Sequence, residues 1–242
     1  FFDEYRTPDF CYSCFQQYLL HYAHESLTPV HRDSNPLIEF SFSLDLAESS
    51  FDTSTFSLYG FGVLTDNPEL EAAAAGSLPL HIKWTGICDM VAEINGENWL
   101  IDHKTSSILS ADFFEGFNLA MQPVGYLNAI RQAYPDLNLA GFMVNTLVCR
   151  KPTKTGKGFE PHRSYHRYPE WLFEEWKTDT IHLIEEFLDN LFRNSFPKKT
   201  SWCIGKYGKC AYLDVCTMEP EHRLMILNSD QYVDNSWKPV SH

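Results

Sequence analysis

Asn95-Gly96 divides the stretch from Gly86 to Ser107, "GICDMVAEINGENWLIDHKTSS", into two apolar runs. A two-residue type I′ turn needs positive φ at both positions, and this dipeptide between apolar runs is the strongest short-range signal for a β-hairpin. The turn also sets the register, because Ile94 must then face Glu97 and Glu93 must face Asn98. Carried further along, the same register puts Asp89 directly across from Asp102. Lys104, two residues beyond Asp102, projects from the same sheet face. Three charged residues therefore stand on strands that otherwise read as buried.

Opposed side chains in an antiparallel pair have Cβ atoms about 4.5–5.5 Å apart. Two carboxylates so placed repel, more strongly where the sheet is shielded from water. A divalent cation between them would relieve the repulsion, and oxygen-only ligands suit Mg2+ or Mn2+ rather than zinc. In "WLIDHKT" strongly apolar residues run right up to the acid, as they do when a strand ends in a site. The alternative is a hairpin whose acids face solvent and whose Lys104 forms a surface ion pair, the outcome of a one-residue slip.

The rest of the chain frames that hairpin. Aromatic and leucine spacing predicts a helix from about Asp9 to His24, ended by Pro29 and the "RDSNP" run. Strict alternation in "LIEFSFSLDL" predicts a half-buried strand with Ile38, Phe40, Phe42, Leu44 and Leu46 on one face and Glu39, Ser41, Ser43 and Asp45 on the other. Residues 47 to 77 carry no clear pattern beyond an aromatic stretch and an alanine-rich "PELEAAAAGS", read as a helical turn capped by Gly76. A long strand is expected from about Leu78 to Ile94, returning through Trp99 to Lys104. "FNLAMQPVGYLNAIRQAYP" reads as a helix started or interrupted near Pro123, and "LAGFMVNTLVCR" as a strand buried on both faces. A long amphipathic helix is expected from Pro169 to Asn194, stopped by Pro197. The expectation is an α/β fold with a central mixed β-sheet flanked by helices: one domain over residues 1–242, with a cysteine-bearing tail at 198–220 packed on it.

A chain of 242 residues, 44% hydrophobic and 21% charged, can bury a sizeable core and has the balance of an ordered globular protein. No run of about 18 apolar residues is present to span a membrane. The start, "FFDEYRTPDFCYSC", lacks the basic end and apolar core of a secretory signal, so a cytoplasmic setting is expected. A net charge of −13 argues against coating nucleic acid through a general positive field. A local patch is left as the candidate: Arg150, Lys151, Lys154, Lys157, Arg163 and Arg167 gather with His162 and His166 between residues 150 and 167. A solvated surface loop is the competing reading.

"GICDMVAEINGENWLIDHKTSS" followed by "QPVGY" resembles the core of the PD-(D/E)XK nuclease superfamily, in particular its RecB-like exonuclease branch, found in bacterial and phage recombination and repair proteins. The motifs that carry the resemblance are the Gly86-x-x-Asp89 strand, the Asp102-x-Lys104 strand and the Gln122-x-x-x-Tyr126 helix, within a span from about Glu39 to Cys216. It implies a restriction-endonuclease-like core and metal-dependent hydrolysis of a DNA phosphodiester. Asp89 and Asp102 would bind Mg2+ or Mn2+, with the main-chain carbonyl of His103 as a further ligand and Glu39 as an additional candidate. Lys104 would orient or help deprotonate the attacking water. Gln122 and Tyr126, four apart, would share a helix face toward the lysine and the substrate backbone. Arg150, Lys151, Lys154 and Lys157 would track phosphates. The branch usually carries a metal-binding histidine on an upstream helix; His24 and His31 stand in the wrong local pattern, so that helix is expected before Phe1 or absent.

Seven cysteines, an odd number, fit poorly with a closed set of disulfides. Cys203, Cys210 and Cys216, spaced C-x6-C-x5-C, can close one metal or cluster site, with zinc or free thiols as alternatives. The spacing is similar to the tail of RecB-like nucleases that carry a [4Fe–4S] cluster, which implies a fourth ligand at Cys11, at Cys14 or outside the chain. Cys88 and Cys149, in apolar strands, read as core residues. The function expected is a Mg2+- or Mn2+-dependent exonuclease on linear or single-stranded DNA in repair, recombination or phage DNA processing, served by a helicase or recombination partner. A nuclease-fold binding module with weak or no turnover, and a metal-dependent endoribonuclease, are the alternatives.

Overall fold

Thr7 opens the first helix, α1 (Pro8–His21), where its side chain accepts the Phe10 N–H and Pro8 takes the first helical position, which needs no N–H partner. The computed structural model describes residues 7–48, 81–107, 110–150, 158–193, 195–205 and 208–233. They divide into two units, 7–48 with 81–183, and 184–233. The alanine-rich segment ending at Gly76 lies outside the described residues.

In the first unit α1 is followed by β1 (Leu27–Pro29), a two-strand excursion β2 (His31–Arg32) and β3 (Asn35–Pro36), and then β4 (Ile38–Glu48). Asp33 and Ser34 both take positive φ in the turn of that excursion, as a two-residue hairpin loop requires. These short strands replace the break expected at "RDSNP". The chain continues through β5 (His81–Ile94), β6 (Glu97–Ser106), α2 (Ala111–Glu115), α3 (Met121–Ala133), β7 (Leu139–Cys149), β8 (Phe159–His166) and α4 (Glu170–Phe192).

The sheet is mixed and six-stranded. β5, β6, β7 and β8 lie in that order, and β1 and β4 share the outer edge of β5, with Val30 N–H donating to Val91 O and Val91 N–H to Leu37 O where one hands over to the other. Among the described residues only β6 and β7 are parallel, joined by a crossover that contains α3; the other pairs of this sheet are antiparallel. Asn95 and Gly96 take φ of 54° and 83°, and the β5–β6 ladder runs from Ile94↔Glu97 to Met90↔Ile101 in the register that this turn dictates. β7 is buried nearly throughout because it is central and covered on both faces.

Two elements differ from the sequence expectation for physical reasons. Glu39 adopts left-handed backbone, φ 47°, which interrupts the alternation of β4: Leu37 is buried, Ile38 is 43% exposed, and the buried series begins at Phe42. In β5 the facing changes at the same level. Trp84 and Gly86 meet Trp176 of α4 and Tyr126 of α3, whereas Ala92 and Ile94 join Trp99, Ile101 and Met143 in another cluster. The other difference is β8. The basic stretch, for which no strand was expected, holds an eight-residue strand whose ladder with β7 runs from Phe142↔His166 to Cys149↔Phe159.

α3 packs on β4, β5 and β7, burying Val124, Leu127, Ala129 and Ile130, while α1 packs on β8. In the second unit a short hairpin, β9 (Ile204–Gly205) with β10 (Gly208–Lys209), precedes α5 (Leu213–Thr217) and α6 (Pro220–Leu227). Among the described residues no helix is long and apolar enough to cross a membrane.

Candidate active site

Asp102 and Lys104 project from one face of β6, as strand period requires. Asp102 is 5% exposed. The Lys104 ammonium straddles its carboxylate, with Nζ 3.0 Å from Oδ1 and 2.8 Å from the buried Oδ2. Burial pushes the Asp102 carboxyl above the usual carboxylate range; Lys104 pulls it back and Asp89 pushes it up again. The β5–β6 ladder stops one pair short of Asp89 and Asp102. Instead of facing Asp102 across a regular pair, Asp89 turns its Oδ2 to accept the His103 N–H at 2.6 Å. A side chain has taken the donor that the ladder would have used, so the strands part at the carboxylates.

α3 supplies the other wall. Ala120 gives no side-chain cap, and Pro123 sits in the first turn, where its missing N–H costs nothing. Gln122 therefore stands at the very start of the helix, with Nε2 3.5 Å from Asp102 Oδ1, a long contact. Its side chain also hydrogen-bonds Tyr126, whose phenol burial pushes above its ordinary range. The Tyr126 ring meets Phe42 edge-on at 5.0 Å. Gly86 makes room for both rings: a Cβ there would lie 2.8 Å from Phe42 and 3.0 Å from Tyr126. Cys88, buried between β4 and α3, has its thiol pushed up by burial and then by Asp89 and Asp102. Asp89, Asp102, Lys104, Gln122 and Tyr126 are thus brought together.

Glu39 lies opposite Asp89 on the neighbouring strand, between the pairs Ile38↔Met90 and Phe40↔Cys88, and its side chain is exposed. The donor set fits a hard divalent cation, because a buried carboxylate stands near a second one, which raises its pKa further, where two strands separate. Among the described residues no group of three or more His, Cys, Asp or Glu side chains is arranged to hold a metal. Two carboxylates would need a main-chain carbonyl, Glu39 or water to complete the coordination.

The basic segment is not one patch. Lys151, Lys154 and Lys157 lie outside the described residues. Arg150 pairs with Glu160 at 2.5 Å, and Arg167 pairs with Glu97 at 2.7 Å while covering the Trp99 ring. The Arg163 side chain is 5% exposed and ion-paired to Glu25. His162 and His166 lie beside Phe114 and Phe117.

The cysteines fall in separate places. Cys11, Cys14 and Cys149 line a cavity of about 330 Å³ between α1 and the sheet. The Cys14 thiol is pushed up to about 11 by burial and by Cys149 beside it. Cys203 and Cys210 flank the β9–β10 hairpin, joined by a 2.9 Å hydrogen bond from Cys210 N–H to Cys203 O; Cys216 ends up in α5. These three do not form a metal-holding group among the described residues.

Asn145 was missed. It is 2% exposed in the middle of β7 and hydrogen-bonds the His103 ring at 2.8 Å. The available signal was an amide inside the run "GFMVNTLVC", a position that needs a partner for every polar atom.

A family model for the PD-(D/E)XK nuclease superfamily matches residues 18–217. No curated protein matches the chain.

Proposed function

Because the chain belongs to the PD-(D/E)XK nuclease superfamily, we propose that it is a Mg2+- or Mn2+-dependent deoxyribonuclease acting on the ends of linear or single-stranded DNA. The observation that carries this reading is Asp102: a buried carboxylate whose only close cation among the described residues is the Lys104 ammonium, its pKa raised by burial, with Asp89 held beside it through the His103 N–H. When bound, the divalent cation would lower the pKa of a water and stabilise charge on the phosphate.

The protein groups supply the rest. Asp89 and Asp102, with the His103 carbonyl, would hold the cation, and Glu39 is a candidate for a further position. Lys104, held on Asp102, places an ammonium where a water attacks phosphorus and where charge grows on the phosphate oxygens as the ester oxygen leaves. Gln122 ties the start of α3 to Asp102 and Tyr126, which fixes the helix wall along the scissile phosphate. Arg150, with Lys151, Lys154 and Lys157, is proposed to follow the backbone of the nucleic acid.

Cleavage assays with Mn2+ on linear, circular and single-stranded DNA, with a parallel RNA arm, test the reading. Lys104→Ala is expected to abolish products from linear DNA while the protein stays folded; undiminished cleavage by that variant would sink the mechanism. A binding module without turnover is the second reading, favoured because no group of three or more metal-ligating side chains is gathered among the described residues. Equal DNA retention with and without Mg2+, and no products from any form, would establish it.

For the tail, C-x6-C-x5-C supports a [4Fe–4S] cluster with Zn2+ as the alternative, helped by the hairpin that joins Cys203 to Cys210. Among the described residues the three thiols form no metal-holding group, so no step depends on the cluster. Iron, sulfide and zinc analysis of the purified protein decides between them. Seven cysteines, an odd number, suit a reducing cytoplasmic setting in repair, recombination or phage DNA processing with a helicase or recombination partner. One nuclease-like domain over residues 1–242 is proposed, supported by a family match that runs from residue 18 to residue 217.

A further inference from the structure

Behind the catalytic strand, on the face of β6 opposite Asp102 and Lys104, three polar residues stand in one transverse row. His103 on β6 is the registered neighbour of Asn145 on β7, and Asn145 is the registered neighbour of Arg163 on β8. Their side chains are joined in the same order. Arg163 Nε donates to Asn145 Oδ1 at 3.3 Å, and Asn145 Nδ2 lies 2.8 Å from His103 Nδ1 and 3.1 Å from the Tyr18 hydroxyl. Arg163 also donates to the Tyr18 hydroxyl at 2.8 Å, pairs with Glu25, and stacks over Tyr22 at 3.7 Å.

The chemistry of the donors fixes the direction of the row. A guanidinium can only donate, so it takes the Asn145 carbonyl oxygen and turns the amide nitrogen toward His103. His103 Nδ1 then accepts, and its proton sits on Nε2. The row is anchored at the far end by three residues of α1 and the segment after it, more than a hundred residues away in sequence.

His103 is also the residue whose N–H holds Asp89 and whose carbonyl the proposed metal site would use. Side chain, N–H and C=O belong to one residue, so clamping the ring from behind restricts rotation of the peptide in front. Stability alone does not require such a row, since buried ion networks are commonly replaced by apolar residues at no loss.

On the nuclease reading above, we infer that Asn145 and Arg163 are positioning residues, which act through the His103 ring to hold the Asp89 carboxylate and the His103 carbonyl in metal-binding geometry. The residues themselves touch neither the metal nor the substrate. Removing the hydrogen bond to the ring should therefore weaken metal binding in a protein that remains folded.

The test uses the full chain and Mn2+ itself, with binding read by the free-Mn2+ electron paramagnetic resonance signal and folding by thermal denaturation. His103→Ala removes an exposed side chain while leaving its main chain in place; Asn145→Ala removes the other half of the contact. Each is expected to raise the Mn2+ dissociation constant by about 10-fold or more. Asn145→Ala added to His103→Ala should weaken binding no further, because both delete one path. Wild-type affinity in folded His103→Ala protein would overturn the inference even if Asn145→Ala failed to fold. So would additive losses in the double variant. Asp102→Asn separates the two levels: if it leaves Mn2+ binding intact, the metal site itself is misplaced and the positioning role falls with it. If it abolishes binding while His103→Ala does not alter it, the site stands and the positioning role alone is rejected.

Discussion

β6 and its neighbours bury two charges of opposite sign on opposite faces, and their surroundings are unlike. Arg163 is enclosed by a carboxylate, a hydroxyl, an amide oxygen and an aromatic face, so every part of its guanidinium has a match. Asp102 is as deeply buried but rests on one ammonium that is itself one-third exposed and on a long contact from Gln122, and its carboxyl is pushed toward the neutral form. A buried ion that is fully matched contributes to order; one left short is a place where the fold tolerates cost for chemistry. The contrast separates support from function without appeal to sequence motifs.

The largest effect expected from breaking that contrast is on the Asp102 side. Asp102→Asn keeps the shape and removes the charge, so cleavage in Mn2+ should fall by at least about 100-fold, the scale of losing one preorganised electrostatic group. Stability should hold within about 1 kcal/mol or rise, because desolvation of the carboxylate no longer opposes folding and Lys104, one-third exposed, can turn to water. Urea denaturation of both proteins in the presence of a chelator checks this. A large loss of stability would show that Asp102 belongs with Arg163 as a structural ion.

On the Arg163 side the expectation is reversed in kind. Arg163→Leu leaves Glu25, Tyr18 and Asn145 without their common partner, and breaking a buried pair costs about 3 kcal/mol. The same denaturation experiment measures it. A change below about 1 kcal/mol would mean that the network rearranges around an apolar residue and that the two buried charges are more alike than they look.

The two sides were also unequally legible in the sequence. Asn95-Gly96 fixes a register locally, so the facing of Asp102 and Lys104 follows by counting, and four-residue spacing puts Gln122 and Tyr126 on one side of α3. Asp89 was harder. Its carboxylate replaces a ladder partner by accepting the His103 N–H, and no periodicity announces that. Glu39 broke the alternation of β4 through a left-handed backbone that a pattern of apolar residues cannot show. Arg163 was read as one of several surface cations because its burial depends on Tyr18, Tyr22 and Glu25, which are remote in sequence. β8 itself was hidden for the same reason: histidine and arginine occupy both of its faces, so neither looks apolar.

His166 gives the smallest effect and extends the comparison to a buried group that stays neutral. It is 8% exposed on β8, between Ser164 Oγ at 2.6 Å and Asn118 Oδ1 at 3.1 Å, with Phe117 and Tyr168 rings beside it. Burial lowers its pKa below the ordinary histidine value. Between that lowered value and about 6.5 the unfolded chain binds more protons than the folded one, so stability rises with pH across the window. The contribution is complete above about 6.5 and is lost as pH falls through the window. His166→Gln keeps polar atoms for both neighbours but cannot titrate, so the difference in unfolding free energy between wild type and variant should shrink on going from pH 7.5 to pH 5. A difference that stays constant between those two values would mean that His166 accepts its proton in the folded state as readily as in water, and that burial on this face is not what keeps it neutral.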